Sequence, residues 1–187
     1  GINDPKCLYV LKLLCEFGAP ADIMYNAKPH IGTDLLRGIV KRISEEIERL
    51  GGKIYYNTRL DSYENGIACT TNGTFAYSSL VLAIGHSARD TYAYLLNKGV
   101  AIEPKPFSVG VRVEHLQADI NEALYGAFAT DPRLGAASYK VSHRENNRGV
   151  YSFCMCPGGE VVAAQSEENS VVVNGMSCYA RDGKNAN

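Results

Sequence analysis

The sequence predicts an α/β chain in two parts: a portion of helices and parallel strands with a three-stranded β-meander as crossover, then a strand-rich mixed lobe. Three observations carry that prediction. Apolar residues recur at helical spacing over 33–50, two Asn-Gly pairs punctuate a run of short alternating segments, and residues 79–84 are an almost unbroken apolar run.

Taken in order, Pro5 to Phe17 reads as a short helix with Leu8, Leu11 and Cys15 on one face, stopped by Gly18-Ala19-Pro20. The segment through Pro29-His30-Ile31-Gly32 is loop-like. Leu35, Leu36, Ile39, Val40, Ile43, Ile47 and Leu50 then repeat with the period of an amphipathic helix, for which Thr33 offers an N-cap and Gly51-Gly52 a left-handed stop. At Lys53-Ile54-Tyr55-Tyr56-Asn57 the period changes to that of a strand. Asn65-Gly66 and Asn72-Gly73 favour tight turns because both central residues tolerate positive φ. They predict antiparallel strands at Leu60 to Tyr63, Ile67 to Thr71 and Thr74 to Tyr77. The same turn explains Asn72-Gly73-Thr74 better than a glycosylation acceptor does. The run Ser79 to Ile84 has the composition of a parallel strand covered on both faces, and a meander between parallel strands is an uncommon crossover.

Gly85-His86-Ser87 follows that strand and precedes a helix over Ala88 to Asn97, with Ser87 and Asp90 at capping-box spacing. Ligands of open α/β sheets meet the carboxyl ends of strands, where helix N-termini leave amides free, although taken alone these residues are better explained by a plain β-α turn with a solvated His86. Pro104-Lys105-Pro106 marks a boundary, giving expected domains of 1–104 and 105–187. Beyond it the sequence predicts strands at Ser108 to His115, Ser138 to Ser142, Val150 to Cys154, Val161 to Gln165 and Val171 to Asn174. One helix, about Gln117 to Tyr125, interrupts them.

Composition bounds function. With 45% hydrophobic and 21% charged residues and a net charge of −1, this is ordinary globular composition. No basic face is large enough for a nucleic-acid partner, and no apolar run approaches membrane-spanning length. The N-terminal residues have neither the basic nor the apolar region of a signal peptide, so the six cysteines are expected as reduced thiols of a cytoplasmic protein. His30, His86, His115 and His143 lack metal-ligand spacing, and no metal site is expected from them.

Several motifs resemble one family. Gly-Gly-Lys-Ile-Tyr-Tyr-Asn-Thr-Arg-Leu (51–60), the meander and Val-Leu-Ala-Ile-Gly-His (81–86) look like the middle of a two-dinucleotide-binding-domain flavoprotein. Pro-His-Ile-Gly-Thr-Asp (29–34), Gly-His-Ser-Ala-Arg-Asp (85–90), Glu-Pro-Lys-Pro-Phe (103–107) and Gly-Val-Arg-Val-Glu-His (110–115) sharpen the match. So do Phe-Cys-Met-Cys-Pro-Gly-Gly (153–159), Asn-Gly-Met-Ser (174–177) and Arg-Asp-Gly-Lys-Asn-Ala-Asn (181–187). Together they resemble a bacterial family of uncharacterised FAD-dependent dehydrogenases, sometimes labelled NAD-utilizing dehydrogenases. The resemblance implies a partial FAD/NAD(P)-binding, Rossmann-like sheet, FAD as cofactor and hydride transfer to or from a small-molecule substrate. It leaves NAD(P) and the substrate open. It further implies that the backbone of Leu60 faces the adenine ring, that Ala83, Ile84 and Gly85 lie along the dinucleotide, and that His86 is near its phosphate or ribose end. Such flavoproteins open with a Gly-x-Gly-x-x-Gly loop, and no Gly-x-Gly occurs here. The expectation is therefore an internal fragment of the family's chain, inactive alone, weak in flavin binding and prone to self-association through exposed apolar surface.

Within that resemblance, Cys156, Pro157, Gly158 and Gly159 form a loop whose glycines would let backbone approach an isoalloxazine ring. Cys154 and Cys156 share a strand face, and packing, flavin-linked redox chemistry and a metal site all stay open as their role. Arg112 and Glu114 project opposite the valines of 109–113. Arg112 is either a fork for a substrate carboxylate or half of an Arg112–Glu114 pair, with His115 as a further substrate candidate. The rival to a flavoenzyme is a non-catalytic module binding a nucleotide or a partner protein. A cysteine-based metal or redox sensor is a third reading.

Overall fold

The computed structural model describes residues 4–153 and 155–187. The chain falls into two compact units, one formed by Gly1–Gly51 with Gly110–Asn187 and the other by Gly52–Val109. One unit boundary lies close to Pro104-Lys105-Pro106, while the first 51 residues group with the C-terminal segment.

Helix α1 spans Pro5–Glu16. Asp4 caps it by accepting the Lys6 N–H at 2.8 Å, and Pro5 opens it, where its missing N–H costs nothing. The helix ends because Gly18 takes φ +95°, a left-handed conformation that lets Gly18 and Ala19 donate back to Cys15 and Leu14. Helix α2 spans Thr33–Arg49 and stops at Gly51, φ +89°. Its apolar stripe delivers Ile39 against Ala19 and Ile23, with Leu14 and Ile43 around them. Ile23 and Ile39 are the largest fully buried side chains among the described residues, each worth about 1.5–3 kcal/mol of burial. Thr33 is not the N-cap; Gly32 is. Thr33 begins the helix instead, and both its N–H and its hydroxyl turn to the carbonyl of Ser177.

In the second unit the meander forms as β1 (Leu60–Glu64), β2 (Ile67–Thr70) and β3 (Gly73–Ala76), ordered β1-β2-β3 and antiparallel throughout. Asn65 and Gly66 take φ 48° and 77°, as the first turn requires. The second turn differs from expectation. Gly73 pairs with Thr70, so Thr71 and Asn72 make the connection, while the Asn72 side chain donates to Asn57 and Thr58. Helix α3 (Arg89–Asn97) packs on β1 through Tyr94, whose hydroxyl accepts the Tyr63 N–H and donates to the Tyr63 carbonyl. Residues 53–57 and 79–84 are not strands. A strand exists by its ladder, and every strand pair among the described residues is antiparallel and leaves these segments out. Val81 is accordingly 85% exposed, and no Rossmann-like sheet forms among the described residues.

The remainder returns to the first unit. Strand β4 is only His115–Leu116, followed by helix α4 over Gln117–Tyr125 as expected. Instead of one mixed sheet, the described residues form separate two-stranded pairs. These are β5 (Ser142–Glu145) with β6 (Arg148–Tyr151), β7 (Glu160–Ala163) with β8 (Val173–Met176), and β4 with β9 (Asn185–Ala186). Asn146 and Asn147, at φ 47° and 63°, make the β5–β6 turn that the sequence reading placed inside a longer gap. Of the strand expected over 108–115 only the end survives, because Ala186 and Asn185 offer partners to His115 and Leu116 alone.

Candidate functional site

In the first unit the residues singled out from sequence converge on the loop around Cys156. The Cys156 N–H donates to the Asn187 carbonyl at 2.7 Å, and Asn187 returns its N–H at 3.4 Å, fastening the loop to the end of β9. Pro157 and Gly159 are buried; Cys156 and Gly158 are half-buried. Gly158 takes φ +59°, and a Cβ there would run into the carbonyl of Arg181. A Cβ at Gly159 would strike the carbonyl of Met176, and one at Gly183 the carbonyl of Gly158. The requirement for glycine at 158, 159 and 183 therefore comes from three stretches of this chain's own backbone in close approach. Gly175 completes the cluster: a Cβ on it would lie 2.8 Å from Cys156 Sγ and 2.9 Å from Arg112 Nη1. Cys154 lies outside the described residues.

One side chain holds this loop from behind. Gln117, at the start of α4, is 6% exposed. Its Oε1 accepts the Gly158 N–H at 2.9 Å; its Nε2 donates to the Ala137 carbonyl at 2.9 Å and to Asn121 Oδ1 at 2.8 Å. Asn121 Oδ1 also accepts the Ala137 N–H, and the Gln117 N–H donates to Lys184. All three hydrogen-bonding positions of the Gln117 amide that can be used here are filled, as burial demands.

Arg112 does not pair with Glu114. Its Nη1 donates to Asn187 Oδ1 at 3.0 Å, because the ends of β4 and β9 bring the two together. His115 Nε2 lies 2.9 Å from the Tyr139 hydroxyl with the rings 5.7 Å apart, and His115 Nδ1 is buried without a hydrogen-bond partner. Thus Arg112, His115, Cys156, Pro157, Gly158 and Gly159 lie in one unit around β4 and β9. Sequence reasoning missed Gln117, Tyr139, Arg181 and Asn187. Arg181 and Asn187 stood in a quoted motif without a role; Gln117 and Tyr139 carried no signal, being an ordinary helix residue and an ordinary residue of an expected strand until folding buries the first and half-buries the second.

The other candidates belong to the second unit. Leu60 opens β1 opposite Thr70 and is half-buried. Ala83, Ile84, Gly85 and His86 form an exposed turn into α3. Gly85 takes φ +68° with open space on its Cβ side, and the Tyr92 hydroxyl donates to its carbonyl. Ser87 does not cap α3; Ala88 occupies that position, without a side-chain hydrogen bond, and Ser87 Oγ lies 3.4 Å from His86 Nε2 instead. A glycine open on one side before an uncapped helix start fits a bound phosphate or ribose. The space beside the glycines at 158 and 159 is filled by the chain itself. The described residues bring together no group of three His, Cys, Asp or Glu able to hold a metal ion, and no described helix is long and apolar enough to cross a membrane.

Against known proteins, residues 106–187 match the family model described as FAD-dependent protein, C-terminal domain-like. This stretch holds Arg112, His115, Gln117, the Cys156–Gly159 loop and the motif from 181 to 187. Over 193 residues the chain is 50% identical to an uncharacterized protein of Clostridium beijerinckii, a match covering 100% of this chain. The chain spans 36% of the length of that relative.

Proposed function

We propose that this chain is part of a FAD-dependent oxidoreductase, a dehydrogenase passing hydride between a small-molecule substrate and flavin. The observation that carries this reading is the match of residues 106–187 to a C-terminal domain family of FAD-dependent proteins, over the same residues that form the glycine cluster. The 36% coverage of the relative supports the view that the working enzyme is longer than this chain. In that enzyme the segments 53–57 and 79–84 gain ladder partners and become the parallel strands of a Rossmann-like FAD sheet. The open Gly85 and the uncapped start of α3 support assigning Ala83, Ile84, Gly85 and His86 to the dinucleotide, with Leu60 offering backbone to the adenine. Residues 105–187 form the substrate-side lobe, with the exposed side of Cys156 and Gly158 toward the ring.

FAD, when bound, supplies the hydride chemistry; the protein supplies orientation and electrostatics. Arg112 has only one nitrogen engaged, by Asn187, which leaves the rest of its fork for a substrate carboxylate. His115, oriented by Tyr139 and with its Nδ1 buried, is the further substrate candidate.

The test is an absorbance spectrum in the flavin bands, taken on the full-length protein with and without added FAD and then with a reductant. A yellow protein that bleaches on reduction is expected. A protein that stays colourless and takes up no FAD would overturn the flavoenzyme reading, and uptake without any redox change would favour a non-catalytic nucleotide-binding module.

A further inference from the structure

Behind the glycine cluster, in the first unit, lies a cleft of about 560 Å³ whose walls include Gln117, Asn121, Ala136, Arg181, Asp182 and Lys184. Among the described arginines of this unit, Arg181 is the one with a nitrogen buried and without an acceptor. Arg42 donates to the Phe17 carbonyl, Arg49 to Glu46, Arg112 to Asn187, Arg133 to Asp131 and Arg144 to Asn147. The Arg181 guanidinium has no partner among the described residues, and its Nε is buried from solvent without an acceptor. A guanidinium is charged at every accessible pH and offers donors only, so a buried N–H of this kind is costly unless an acceptor arrives.

The backbone shows that this placement is imposed. Arg181 takes φ +54°, a left-handed conformation that residues other than Gly and Asn adopt rarely. It is held there because its carbonyl packs on Gly158 and its N–H donates to Cys178 at 3.2 Å. The strain aims a cation at a cavity and leaves it unpaired. The other polar groups of the wall agree. Asn121 has committed its Oδ1 to Gln117 and Ala137, so what it has left is a donor amide. Lys184 adds a second cation, and Asp182 the one carboxylate of the lining, for a net charge of +1.

We propose that this cleft binds an oxyanion, the carboxylate or phosphate group of a small molecule, with Arg181 as its principal contact. The planar fork of an arginine matches both groups, and Lys184 and the Asn121 amide supply the remaining donors. The proposal does not rest on the flavin reading.

The test is isothermal titration of the full chain with succinate and, separately, with inorganic phosphate at matched ionic strength. Both are repeated on Arg181→Asn, Arg181→Lys and Arg133→Gln. Asn tolerates the left-handed backbone, so the first variant removes the charge without forcing a refold. Saturable binding of at least one probe is expected, weakened about tenfold or more in Arg181→Asn, partly kept in Arg181→Lys and unchanged in Arg133→Gln. The preferred probe tells a carboxylate ligand from a phosphate one. The proposal fails if neither probe binds saturably, if Arg181→Asn titrates like the wild type, or if Arg133→Gln loses as much as Arg181→Asn.

Discussion

The side-chain oxygen of Gln117 accepts the backbone N–H of Gly158 at 2.9 Å, while the same amide donates to the carbonyl of Ala137. A buried glutamine on the first turn of α4 thereby fixes the height of the Cys156–Gly159 loop. Replacing Gln117 with Met keeps the volume and leaves the Gly158 N–H and the Ala137 carbonyl without partners. The expected cost is about 2–4 kcal/mol of stability for this unit, read as a lowered urea midpoint. An unchanged midpoint would show that the loop finds other partners.

Two glycines of the same unit separate conformational strain from collision. Gly51 takes φ +89° with nothing within 4 Å of a Cβ, whereas Gly158 takes φ +59° with the Arg181 backbone in that space. Gly51→Ala should cost about 1–2 kcal/mol, the left-handed penalty alone. Gly158→Ala should cost at least about 2 kcal/mol more, since backbone cannot retreat as a side chain can. Equal losses in thermal unfolding would contradict the close approach.

Tyr94 braces the meander by bonding both the N–H and the carbonyl of Tyr63, at 3.1 and 2.8 Å. Tyr94→Phe keeps the ring contact with Tyr63 and deletes both bonds. Amide exchange at Tyr63 should then accelerate, with a loss of about 1–2 kcal/mol of protection. Unaltered exchange would mean that α3 does not brace β1.

Arg133 beside Asp131 holds the Asp131 carboxyl below its usual range, chiefly through the side-chain hydrogen bond. A folded value below the unfolded one, about 3.9, stabilises the fold above that pH, and the contribution disappears as pH falls through the folded value. Carbon-detected NMR titration should show Asp131 ionising early, returning toward the ordinary range in Arg133→Gln. Because Arg133 is exposed and solvent screens its charge, the thermal midpoint should barely respond.

What the sequence by itself determined is what local chemistry specifies. Helices α1, α2, α3 and α4 and the Asn65-Gly66 turn lie within a residue or two of expectation, because periodicity, a proline start and left-handed glycine stops act over a few residues. Local propensity was insufficient wherever a group had competing partners. Thr33 and Ser87 read as caps, yet Thr33 bonds the Ser177 carbonyl 144 residues away, and Ser87 lies beside His86. Strand character at 79–84 and 108–114 came to nothing among the described residues, since a strand is defined by a ladder that its own residues do not contain.

The candidate site divides the same way. The sequence marked Cys156 to Gly159 and Arg112 as distinctive, but only the tertiary structure decided what each one meets. Arg112 reaches Asn187 across 75 residues, and Gly158 is glycine because Arg181 presses against it. Arg181 is left unpaired beside a cleft by that same contact. Such relationships need chain segments far apart in sequence to be packed together, and the free energy that packs them is spread over the whole unit rather than written in any one motif.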